Sequence, residues 1–317
     1  MLPSILLLVL GLVVLVKASD QFVIGSARLA VELRLAPVVV GVIIIGFGTS
    51  APELLVSGLA AAQGSIDLGT GNIIGSNIAN LLLVLGAAAV VAPLAIDGDV
   101  LKREVPLSLV TVAAFAWVVQ GRLLAVEAIG LGVLLVAVLT LVLVLSRFGT
   151  VRIDPAIEEL AKERVSGGRE AVRTLLGLAG TLAAAQAMVL GATDLAARAG
   201  LDEGLVGLTI IAIGTSLPEL ATAGQAARRG EAGLLVGNLL GSNIFNATAV
   251  GGVVAAAGAA QGLRVGPSLA GSTLVMLGVV VAVSLLLVLR RKVTRFDGAV
   301  LLMAYAAFTA SLPSLAG

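Results

Sequence analysis

The chain contains no cysteine and no histidine, and only one tryptophan and one tyrosine among its 317 residues. Without cysteine there is no disulfide, no thiolate nucleophile and no thiolate metal ligand. Without histidine there is no imidazole base and none of the usual ligands for zinc, copper or haem. A metal ion bound here is therefore held by oxygen. Charge is scarce as well: 12% of residues are charged, the formal net charge is +1 and aromatics make up 3%. No segment is basic or aromatic enough to offer a nucleic-acid surface.

Apolar side chains are what the chain has in abundance, at 59%, with a mean hydropathy of +1.12 that exceeds what a water-soluble core requires. A hydrocarbon slab about 30 Å thick takes roughly 20 residues of helix per crossing. Apolar stretches of that length predict ten crossings, over residues 2–30, 36–62, 68–93, 104–120, 123–146, 171–197, 203–227, 232–259, 267–289 and 298–315. A membrane β-barrel alternates polar and apolar positions, whereas these runs are apolar on every side for several turns. The expected fold class is all-α integral membrane. The first run has no basic leader before it and reads as a crossing rather than a cleaved signal peptide.

Residues 40–80 return at 206–246 without a gap. Gly48, Thr49, Ser50, Pro52 and Glu53 reappear as Gly214, Thr215, Ser216, Pro218 and Glu219. Gly71, Asn72, Gly75, Ser76, Asn77 and Asn80 reappear as Gly237, Asn238, Gly241, Ser242, Asn243 and Asn246. One offset of 166 (219 − 53, 242 − 76) held across two separate motifs marks an internal duplication. Five crossings per half is an odd number, so the second half enters from the opposite side and the repeats are inverted. The expected organisation is a first repeat over 1–146, a connection over 147–170 and an inverted repeat over 171–317.

In that topology only Arg122, Arg198 and Arg264 share the side of the termini, leaving seventeen of the twenty basic residues opposite. The basic side is cytoplasmic by the positive-inside rule, which puts both termini outside and the 147–170 connection inside. Asp154-Pro155 and the charged run to Arg164 read as a capped, solvated helix in that connection. Lys17, Asp20 and Asp194 are expected near helix ends, at the interface.

Thr49, Ser50 and Glu53 are spaced to share one helix face, as are Ser76 and Asn80 one crossing later; the repeat supplies Thr215, Ser216, Glu219, Ser242 and Asn246. A carboxylate at mid-membrane costs about 2.5–3.5 kcal/mol on insertion scales and needs a counter-charge. No Lys or Arg stands at the depth expected for Glu53 and Glu219, so the counter-charge is a mobile cation. Pro52 and Pro218, with Gly46, Gly48 and Gly214 before them, predict broken helices. Carbonyls freed around Gly46 and Ala212 are further candidate ligands, with half-helix ends directed at the site. Such hard oxygens suit Ca2+ or Na+ and not soft transition metals. Packing glue is the competing reading for single Ser, Thr and Asn residues, and for Asn72, Asn77, Asn238 and Asn243 the two readings stand level.

The motif Gly-Thr-Ser-x-Pro-Glu-Leu at 48–54 and 214–220, paired with Gly-Asn-x-x-Gly-Ser-Asn-Ile-x-Asn at 71–80 and 237–246, resembles the twin α-repeats of the sodium/calcium exchanger family, within the cation/calcium antiporters. The resemblance implies a prokaryotic-type exchanger of the cell membrane that transports Ca2+ and Na+ by alternating access, as the first and sixth helices slide past a rigid core. It implies Ca2+ bound by Glu53 and Glu219, Na+ coordinated with help from Thr49, Ser50, Ser76, Thr215, Ser216 and Ser242, and Asn80 lining the centre. No resident cofactor, enzymatic activity or protein partner is implied; the partners are the lipid bilayer and small inorganic cations.

One position departs from the pattern: many family members carry Asp where this chain has Asn246. Two carboxylates balance one Ca2+ or two monovalent ions, and a third Na+ would leave a buried positive charge. H+ in place of Na+ as the coupling ion is therefore the alternative reading, since a carboxylate out of water takes up protons more readily. A channel has no need of inverted halves, and an enzyme is expected to place its nucleophile or base in one half only. Matching polar sets in both halves favour transport.

Overall fold

The computed structural model describes residues 2–32, 50–96, 98–146 and 166–315. The first half comprises α1 (Leu2–Glu32), α2 (Ala51–Ala62), α3 (Ile66–Ala79), a π-helical turn (Asn80–Val84), α4 (Leu85–Val91), β1 (Leu94–Ala95), α5 (Gly98–Val118) and α6 (Ala125–Ser146). The second half begins with α7 (Gly167–Ala199), α8 (Glu203–Val206), a π turn (Gly207–Ile211), α9 (Ala212–Thr215) and α10 (Leu217–Arg229). It continues through α11 (Ala232–Phe245), a π turn (Asn246–Val250), α12 (Gly251–Gln261), α13 (Ser268–Arg290), β2 (Lys292–Val293) and α14 (Arg295–Leu315).

Six of the described helical rods are long and apolar enough to cross a membrane: Leu2–Ser26, Ile66–Val91, Ala125–Val144, Gly167–Ala199, Ala232–Gln261 and Ser268–Arg290. The pair Glu203–Thr215 and Leu217–Arg229, bent by 44°, makes a seventh. The stretches expected at 104–120 and 298–315 appear as α5 and α14, 21 residues each, with charged residues in their first turns. Of the 36–62 crossing only the part from Ser50 onward falls on described residues, and the charged connection lies outside them as far as residue 165. Lys17 and Asp20 lie well inside the 31-residue α1, exposed, and not at its end as expected. Asp194 accepts hydrogen bonds from Ser4 and Arg198.

α1 and α7 pack antiparallel along their whole length, because glycines let the two backbones touch. A Cβ on Gly177 would lie 2.4 Å from the Phe22 nitrogen, one on Gly25 2.9 Å from the Thr174 nitrogen, and one on Gly11 2.8 Å from Met188. Gly11 and Gly25 recur as Gly177 and Gly191 at the same 166-residue offset (177 − 11, 191 − 25). Ser4 bonds Asp194 at one end of the pair, and Arg28 meets the buried Glu170 at 3.6 Å at the other. The pair shares a small apolar cluster, including Leu15, Ala185 and Met188, with Val56, Leu68 and Ile211. The other helices enclose a larger one around Ile74, Leu85, Phe115, Val250 and Met276.

Among the described residues two short backbone contacts join the halves. Leu94 and Ala95 pair antiparallel with Val293 and Lys292, and Arg122 pairs with Arg264. α5 runs from the first contact to the second and α13 runs back, so the contacts are separated by about 30 Å of helix. The residues 166 beyond Leu94 and Ala95 are Ala260 and Gln261, which end α12 beside the Arg264 contact, at the far end from β1.

Candidate ion-binding site

Ser50 and Ser216 share one backbone conformation, φ −93 and ψ 7 against φ −84 and ψ 6, just before α2 and α10. Each is followed by a helix with proline in its second position, where a missing N–H costs nothing, and glutamate in its third. Glu53 and Glu219 therefore sit in first helical turns, where the macrodipole favours negative charge. Neither serine hydroxyl caps its helix. In the second half α9 ends at Thr215 and the 44° bend follows; Thr49, Gly46 and Gly48 lie outside the described residues.

Pro218 brings no N–H to the Gly214 carbonyl four residues earlier. The Ala212 carbonyl is already engaged, by the Ser216 N–H at 3.1 Å and the Thr215 hydroxyl at 3.4 Å. An ion gains a lone pair there only when the Thr215 hydroxyl gives its one proton to Asn72 Oδ1 instead.

Across from these breaks, α3 and α11 pass without interruption but change pitch. Both enter a π turn at the repeated asparagine, Asn80 in one and Asn246 in the other, and the widened turns close with Leu85 N–H to Asn80 O and Gly251 N–H to Asn246 O. Single π turns recur at functional sites because the inserted residue redirects the side chains around it. Close approach is secured by glycine: a Cβ on Gly71 would sit 2.3 Å from the Gly204 carbonyl, and one on Gly75 2.5 Å from that of Leu208.

Glu53 and Glu219 each keep 1% exposure and lie close enough for charge to act between them. Ser50, Ser76, Asn80, Thr215, Ser216, Ser242 and Asn246 are buried with them. Ser242 Oγ donates to Glu219 Oε1 at 3.4 Å. Thr215 Oγ1 donates to Asn72 Oδ1 at 3.2 Å and lies 3.4 Å from Ser76 Oγ. Asn72 Nδ2 in turn donates to Ser57 Oγ at 2.9 Å. Asn80 Nδ2 donates to Asn243 Oδ1 at 3.0 Å, and Asn243 Nδ2 to the Asn77 carbonyl at 3.1 Å.

Several buried oxygens have no hydrogen-bond partner among the described residues: both of Glu53, the hydroxyls of Ser50 and Ser216, and the amide oxygens of Asn80 and Asn246. Each such atom costs about 1–3 kcal/mol. Their coincidence in one place fits a cation as cargo, which would satisfy them together. Glu53 takes part in no ion pair among the described residues. No group of three or more Asp or Glu side chains placed to hold a metal occurs among the described residues, so two carboxylates are the acidic complement seen here.

Asn72 and Ser57 were open to both readings or overlooked from sequence, and here they orient Thr215 and Ser76. Their signal is periodic: Asn72, Ser76 and Asn80 recur every fourth residue, and Ser57 follows Glu53 by four.

The sequence profile described as sodium/calcium exchanger protein matches residues 3–146 and 170–312. Inner membrane protein YrbG of Escherichia coli strain K12 is 39% identical over 80% of this chain and 80% of its own. Sodium/calcium exchanger MaX1 of Methanosarcina acetivorans is 31% identical over 96% of this chain and 97% of its own. A structure of the sodium-calcium exchanger NCX_Mj soaked with Na+ and Sr2+ superposes with a TM-score of 0.66 at 29% identity, covering 98% of this chain and 99% of that one.

Proposed function

Because the chain belongs to the sodium/calcium exchanger family, we propose that it exchanges Ca2+ for Na+ across the membrane by alternating access. The observation that carries this reading is the pair Glu53 and Glu219, buried together with no fixed cation on Glu53 among the described residues. Glu53 and Glu219 bind Ca2+. Thr49, Ser50, Ser76, Thr215, Ser216 and Ser242 supply oxygens to Na+, Asn80 and Asn246 line the centre, and carbonyls near Gly46 and Ala212 complete the shell.

The reading includes ten crossings in two inverted repeats, 1–146 and 171–317, joined by the 147–170 connection. Inversion is supported by the antiparallel α1–α7 pair, whose contacts are exchanged by the offset: Gly11 with Met188 becomes Gly177 with Phe22 (188 − 166). It is supported too by β1 and its repeat lying at opposite ends of α5 and α13. The chain is an integral membrane protein, and the distribution of basic residues supports external termini.

Flux in sealed vesicles tests the reading. An outward Na+ gradient at constant pH is expected to drive Ca2+ uptake. Uptake that follows a pH gradient and ignores Na+ would favour proton coupling, the reading that the neutral Asn246 keeps open.

A further inference from the structure

Among the described residues, the amide-to-amide hydrogen bond that joins the halves, Asn80 Nδ2 to Asn243 Oδ1, has no symmetry mate. The duplication carries Asn80 to Asn246 (246 − 80) and relates Asn243 to Asn77 (243 − 77), so the mate is Asn246 Nδ2 donating to Asn77 Oδ1. Those two atoms are both buried and both without a partner among the described residues. They are within reach of each other's helices, because Asn243 Nδ2 bonds the Asn77 carbonyl and Asn80 and Asn246 lie one turn further along each helix.

Asn77 is turned elsewhere: its Nδ2 donates to Met276 Sδ of α13 at 3.5 Å. Among the described residues Asn243 makes no equivalent bond to α5.

We propose that Asn77, Asn80, Asn243 and Asn246 form a two-position amide relay, with Asn80 and Asn243 joined in this conformation and Asn77 and Asn246 joined in the opposite access state. The relay rests on the alternating-access reading above, in which inverted halves exchange their conformations. Asn77 and Asn243 are positioning residues that aim Asn80 and Asn246 at the ion. An amide at 246 has a donor for this bond, which a carboxylate in its place would lack.

The test is Ca2+/Ca2+ exchange by the full-length chain in proteoliposomes of uniform orientation, reading the half-saturating Ca2+ concentration on each face. Asn243→Ala removes the bond made here and is expected to shift the ratio of the two concentrations about fivefold; Asn77→Ala shifts it by a similar factor the other way. Met276→Leu conserves volume and fold, frees Asn77, and shifts the ratio in the same sense as Asn243→Ala. Exchange with a ratio indifferent to these substitutions, or moved the same way by both asparagine variants, overturns the relay alone. Absence of Ca2+ exchange by the unaltered chain overturns the antiport reading with it.

Discussion

The two halves repeat the same buried polar residues and arrange them differently. Ser242 donates to its own half's carboxylate, Glu219, whereas Ser76 lies against Thr215 and Asn72, and both Glu53 oxygens lack a hydrogen-bond partner among the described residues. Duplicated sequence in one chain thus holds two hydrogen-bond patterns at once. Thr215 has Asn72, Ser76 and the Ala212 carbonyl within reach of one hydroxyl. Under the proposed alternating access, such a site is expected to let its halves trade patterns.

The largest expected effect tests what the halves share. Glu53→Gln or Glu219→Gln removes a buried charge opposite a divalent ion, a loss of about 3 kcal/mol or more, and each is expected to lower apparent Ca2+ affinity by roughly a hundredfold or more in vesicle uptake. Retained transport in one variant would show that only one carboxylate serves. Asn246→Asp adds a third negative charge to the second half alone. It is expected to change the Na+ dependence of Ca2+ uptake, or the apparent Ca2+ affinity, by about tenfold while leaving the melting temperature nearly unchanged. Ser242→Ala and Ser76→Ala are expected to weaken Ca2+ binding about fivefold, each chiefly on one face of the membrane. Equal effects on both faces would break the comparison between the halves.

Much of this was legible in the residues. The constant offset between Glu53 and Glu219 gave the pairing, Pro52 and Pro218 marked where helices start afresh, and the apolar runs gave most rods to within a few residues. The π turns were not legible. An extra residue in a helical turn at Asn80 or Asn246 has no local signature, because the neighbouring helix decides whether the widened turn can be accommodated. The role of Asn72 was only half visible: its spacing to Ser76 and Asn80 shows the face it occupies, but its bonds run to Ser57 and Thr215 on other helices. Lys17 and Asp20 were misplaced because the expected 2–30 crossing already held them mid-run, and what tolerates them is their position on the exposed face of α1.

The small backbone contacts between halves constrain how such a molecule can move. Leu94–Ala95 with Lys292–Val293, and Arg122 with Arg264, act as hasps at the two ends of α5 and α13. A body fastened at top and bottom resists being prised apart like a clam on either surface. The α1–α7 pair carries neither hasp, and its glycine-lined seam makes it a single plank against that body. The proposed alternating access is therefore expected to run as travel of the plank.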